Sequence, residues 1–157
     1  MSVSKSSRHR ARELVVQGLY QWQVGGQDGA AIQAHAASDN LLKKADAALY
    51  HQLFDDVLTH AETLRTNLAR HTDRAWNAIS PIERSILLLG ACELKLHPET
   101  PYRVIINEAI ELAKTFGGAD GHKFINGILD KFGALVRVGE NTSSRPAHAN
   151  PAAPTTK

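Results

Sequence analysis

The sequence predicts an all-α protein, a compact bundle of about six to seven helices. Three observations predict it. Apolar residues recur every three or four positions in each long segment, the spacing that places them on one face of a helix. Alternating apolar and polar residues never run for more than a few positions, and Leu135 to Val138 is too short to propose a sheet. Helix starts and stops are written out, as in Ser80-Pro81-Ile82-Glu83 and Gly117-Gly118.

Residues 1–7 have nothing to bury and are expected to form a flexible arm, with the first helix beginning near Arg8 or His9. Its apolar stripe is Ala11, Leu14, Val15, Gly18, Leu19 and Trp22. That stripe assigns Arg8, Arg12, Glu13, Gln17, Tyr20 and Gln21 to the solvent side. Glycines at 25, 26 and 29 break the helix, and 30–38 is a short, weakly amphipathic one. The longest pattern runs from Asp46 to His71 through Leu49, Leu53, Val57, Ala61, Leu64 and Leu68. A turn or short helix over 72–79 should bury Trp76 and Ile79.

Ser80 and Glu83 form a capping box with Pro81 in the first turn, where its missing N–H is harmless. The helix they open is apolar nearly all round, as expected of the central member of a bundle, and His97-Pro98 ends it. Pro101 to Lys131 then reads as a helical corner. One stripe is Tyr102, Ile105, Ile106, Ala109, Leu112, Ala113 and Phe116, and the other is Phe124, Ile125, Ile128, Leu129 and Phe132. Gly117 and Gly118 are expected to end the first helix in a left-handed conformation, and Asp120 to cap the second through its side chain. The segment 139–157 has no large apolar residue and is expected to be a disordered tail, leaving 1–138 as one domain.

Of 157 residues, 43% are hydrophobic and 22% charged, which suits a soluble globular domain. No segment has the roughly 20 apolar residues of a membrane span, and no secretory signal opens the chain, so a cytoplasmic location is expected. The net charge of +2 is uneven. Lys5, Arg8, Arg10 and Arg12 give the first 12 residues +4, whereas 13–138 holds 12 Lys and Arg against 15 Asp and Glu, giving −3. A basic arm on a mildly acidic body suggests one localised anionic contact, although basic arms also occur as solvated ends.

Arg8, His9, Arg10 and Arg12 at a helix start, with Tyr20 further along, are the strongest nucleic-acid signal, because guanidinium groups bridge phosphates or lie on bases. Lys123 with Phe124 can form a platform for an unstacked base, or can simply open a core stripe beside a solvated lysine. Glu108 and Glu111 lack the histidine three residues on that a di-iron bundle requires and are read, with Lys114, as surface ion pairs. The single cysteine, Cys92, is read as a buried hydrophobe, excluding disulfides and cysteine-based zinc sites within one chain. The eight histidines show no HExxH, no close pairing and no cysteine company, so no metal is expected. With no phosphate-cradling glycine loop and with Ser80 and Ser85 in helix-start positions, no catalytic group or cofactor is expected.

Pro101 to Lys131, PYRVIINEAIELAKTFGGADGHKFINGILDK, resembles the signature segment of the NusB family. RHRARELVVQGLYQWQ (Arg8 to Gln23) is similar to the family's arginine-rich first helix, and SPIERSILLLGACEL (Ser80 to Leu94) to its buried central helix, so the likeness spans 8 to about 138. It implies a transcription antitermination factor that binds single-stranded boxA RNA of ribosomal RNA leader transcripts, together with the ribosomal small-subunit protein NusE, within an RNA polymerase antitermination complex. It further implies RNA contact by the first helix and by Lys123 and Phe124 lying beside it, and docking of NusE on the helices following Ser80, with Glu83 a candidate. Monomer and homodimer are both compatible with the resemblance. The rival reading from the residues is a non-catalytic helical interaction module with an incidental basic arm.

Overall fold

Each apolar stripe needs a partner, and the helices close around the one that is apolar on every side. In a computed structural model of the protein, which describes residues 6–118 and 120–139, the order is α1 (Ser7–Gly25), α2 (Gly29–Ser38), α3 (Ala47–Ala69), a 3-10 turn (Trp76–Ala78), α4 (Pro81–Leu96), α5 (Tyr102–Phe116) and α6 (Gly121–Val136). Among the described residues there is no strand, and no helix is long and apolar enough to cross a membrane. The arm's residues 1–5 and the expected tail beyond Gly139 lie outside the described residues. Ser6 and Ser7 do not: Ser6 Oγ accepts from His9 N at 3.0 Å, so α1 starts at Ser7, just ahead of the expected Arg8.

Helix α4 packs against α1, α3, α5 and α6, and every residue from Ser85 to Leu94 is buried. Gly90 leaves room for α6, because a Cβ there would lie 2.7 Å from Leu129 Cδ1. Ser80 caps α4 as expected, accepting from Glu83 N at 3.2 Å, and Asp46 caps α3 by accepting from Leu49 N at 3.0 Å. Ile79 is buried, while Trp76 is only half-buried against the core.

The α5–α6 corner forms, but by different chemistry from that expected. Gly117 is extended (φ −96°, ψ −176°), not left-handed. Glycine is needed there for space: its N–H donates to Ala113 O at 2.7 Å, and a Cβ would stand 2.8 Å from that oxygen. Asp120 occupies the N-cap position without a side-chain cap bond. Its backbone (φ −108°, ψ 7°) is not the extended form that folds a capping side chain back over the first amides, and the carboxylate is 88% exposed.

The far end of α4 is closed by Arg137, just past α6. Its guanidinium is buried and donates to four main-chain carbonyls: Glu93 (3.1 Å), Leu94 (2.8 Å), His97 (2.6 Å) and Thr100 (2.6 Å). Glu93 O also accepts from His97 N and His97 O from Thr100 N, both at 3.0 Å, whereas Leu94 O faces Pro98 four residues on, which has no N–H to give.

Candidate nucleic-acid interface

The first turns of α1 carry the basic cluster, and the fold turns part of it inward. Arg12 is buried. Its Nε and Nη2 donate to Glu93 Oε2 and Oε1 at 2.8 and 2.9 Å, a bidentate pair with side chains 3% and 2% exposed, and Glu108 lies 3.7 Å from Nη1. Burial alone would lower the Arg12 pKa. The hydrogen bond and charge of Glu93, with Glu108 adding, reverse this and hold it above its usual value. The expectation that Arg12 and Glu13 face solvent is therefore corrected: α1 meets α3 and α4 over a wider arc than its apolar stripe marks, and both charges lie within that contact.

The neighbours of Arg12 are also engaged. His9 Nδ1 lies 2.7 Å from Glu108 Oε1 and Nε2 lies 3.4 Å from Glu13 Oε2; Arg10 Nη1 donates to Glu13 Oε1 at 2.9 Å. Arg8, 54% exposed at its side chain, stands 3.8 Å from Asp46, the residue that caps α3. Three guanidinium groups thus face four carboxylates, Asp46, Glu13, Glu93 and Glu108. Long-range attraction from this end is damped, and the outward donors are those of Arg8 and Arg10. Glu108 is not the surface ion-pair residue expected, whereas Glu111 is, with Lys114 at 3.8 Å. Tyr20 is 42% exposed, as its place on the helix predicts.

Lys123 and Phe124 lie in the first turn of α6. Lys123 is 76% exposed and 3.9 Å from Asp120, while Phe124 is half-buried beneath the guanidinium of Arg74, 4.0 Å from its ring centroid. Among the described residues no hydrogen bond or ion pair joins Lys123 to Arg8, His9, Arg10 or Arg12. Helix α4 packs between α1 and α6, and its first turn touches both: Gln23 Nε2 donates to Pro81 O at 3.2 Å and to Ser85 Oγ at 2.7 Å. On the other side Glu83 reaches so close to Gly121 that a Cβ there would lie 2.7 Å from Oε2. Glu83 is accordingly half-buried. Arg74 carries no signal in sequence, because its aromatic partner lies far along the chain.

Ser85 Oγ donates to Pro81 O at 2.8 Å and Ser80 is a cap, so both hydroxyls serve helix starts. A cleft of about 400 Å³ between α1, α3 and α4 is lined by Trp22, Trp76, Arg65, Arg84 and Leu88. Arg84 there holds Gln23 Oε1 at 2.9 Å and Ile79 O at 2.8 Å. Elsewhere Asp56, Cys92 and His97 bring one donor atom each within 4.8 Å of one another, so histidine has cysteine company in space that the sequence hid.

The model of the NusB family matches residues 9–134. The transcription antitermination protein NusB of Dechloromonas aromatica (strain RCB) is 50% identical over 91% of this chain and 88% of its own length. That of Chromobacterium violaceum is 49% identical over 87% of this chain and 92% of its own. Among solved structures, T. maritima NusB superposes with a TM-score of 0.75 at 25% identity, covering 89% of this chain and 99% of that one. The fold is also that of the NusB in a crystal structure of antitermination factors NusB and NusE with double-stranded RNA (TM-score 0.74, 22% identity, 81% of this chain and 96% of that one).

Proposed function

This chain belongs to the NusB family of transcription antitermination proteins, and we propose that residues 1–138 form a domain that binds single-stranded boxA-type RNA jointly with NusE. It does so in the cytoplasm, as part of an RNA polymerase antitermination complex and without covalent chemistry. The observation that most supports RNA binding is the exposure of Arg8 and Tyr20 on α1, with Arg10 half-buried beside Glu13, which offers guanidinium groups for phosphates and a ring for a base. A solved assembly of family proteins with NusE and RNA supports the choice of partners.

Lys123 contributes a phosphate contact, and Phe124 with Arg74 a second stacking surface at α6. His9 and Arg12 act from behind: both meet Glu108, and His9 also meets Glu13, the carboxylate that holds Arg10. NusE docks on the helices following Ser80, with Glu83 contributing by setting the mutual position of α4 and α6.

Substitutions separate contact from support. Arg8→Ala should make the fall of log K with log salt shallower by about 0.7, one phosphate contact on a single strand, and Tyr20→Ala should weaken RNA binding by about 1–3 kcal/mol. Both should melt as the parent does. A salt dependence that is flat in the parent would instead favour the rival reading of a protein-interaction module.

A further inference from the structure

Helix α4 ends at a place that RNA binding does not use. Cys92 lies fully buried in its last turns, His97 caps it and is 4% exposed, and Asp56 reaches across from α3 with its side chain 33% exposed. One donor atom from each lies within 4.8 Å of the others. His97 Nε2 is 2.8 Å from Asp56 Oδ2, and His97 Nδ1 is 3.1 Å from Glu99 Oε2. An ion pair of His97 with Asp56 accounts for two of these groups but not for the convergence of the thiol.

We propose that Asp56, Cys92 and His97 form a site for a single divalent cation of the zinc class, with the fourth position open to solvent on the Asp56 side. Thiolate, imidazole and carboxylate together suit a borderline cation such as Zn²⁺ or Co²⁺, not Mg²⁺ or Ca²⁺, which take oxygen ligands. Metal–ligand bonds of about 2.0–2.3 Å place tetrahedral donors roughly 3.3–3.8 Å apart, so on binding His97 and Asp56 open by about 0.5 Å and the thiol, within 4.8 Å of both, closes by at most about 1.5 Å. Glu99 supplies the outer carboxylate that orients a metal-bound imidazole by accepting from its other nitrogen. Two carboxylates flank the imidazole, and Arg137 donates to the main-chain oxygen of His97 at 2.6 Å. Burial first, then the charges of Asp56 and Glu93, hold the free thiol above its usual range. A cation relieves that repulsion, binding as the thiolate forms and the thiol proton leaves to solvent.

The test is a Co²⁺ titration of the full chain followed by visible absorption. One Co²⁺ per chain is expected, with tetrahedral d–d bands and a thiolate charge-transfer band that disappears in Cys92→Ala. Glu99→Gln, at a side chain 69% exposed and so harmless to folding, should weaken binding by about 10–100-fold. Absence of saturable uptake, uptake without the thiolate band, a band that survives Cys92→Ala, or an affinity unmoved by Glu99→Gln would each overturn the site.

Discussion

Arg12→Ala lowers the folding stability by about 3–5 kcal/mol, the loss expected when one partner of a buried pair is removed and its charge stays behind. Glu93 sits at 2% exposure and receives both guanidinium bonds of Arg12, at 2.8 and 2.9 Å. Glu108 at 3.7 Å adds a second carboxylate to the vacated space. Domain stabilities are typically only about 5–15 kcal/mol, so the shift in urea midpoint should be large. The double variant Arg12→Met, Glu93→Met should recover most of it, because the stranded charge goes with its partner. A midpoint for Arg12→Ala close to the parent's would mean that Arg12 faces water after all and is free to hold RNA.

Arg137→Ala should be comparably damaging, by about 3 kcal/mol or more. A buried acceptor left without a donor costs about 1–3 kcal/mol; Leu94 O and Thr100 O take their donors from this guanidinium, while Glu93 O and His97 O would keep those of His97 N and Thr100 N. Arg137→Lys should recover little of the loss, since an ammonium cannot present a planar fork to acceptors on several sides. Thermal melting of the two variants measures it. A full rescue by lysine would show that charge near the end of α4 matters and the fork does not.

These effects mark where the sequence could be read and where it could not. Periodicity located α1, α3, α4 and α5 and the start of α6 to within a residue or two, because each stripe is a local property that packing then satisfies, while α6 runs on to Val136, past the end of its stripe at Phe132. Ser80 and Asp46 were legible as starts for the same reason: a cap bonds an amide three residues away. Gly117 was placed correctly as a stop and assigned the wrong conformation, since glycine permits an extended close approach as readily as a left-handed turn.

What failed were the long-range charge contacts. Arg12 and Arg8 look alike in sequence, a turn apart on one helix, and only the arrival of Glu93 and Glu108 from α4 and α5 turns Arg12 inward. Glu83 reads as a cap residue and is also held against Gly121. Arg74 over Phe124, Arg137 at the end of α4, and Cys92 beside His97 depend on tertiary proximity that spacing does not encode. The RNA surface proposed for α1 is consequently narrower than its run of basic residues suggests. It rests on Arg8, Arg10 and Tyr20, with His9 and Arg12 as support.

The most direct test of RNA recognition is fluorescence anisotropy of a labelled boxA-type RNA titrated with this protein, alone and with NusE, against a scrambled RNA of equal length. Tighter binding to boxA than to the scramble, strengthened further by NusE, is the predicted result. Equal and weak binding to both RNAs, unchanged by NusE, would contradict it.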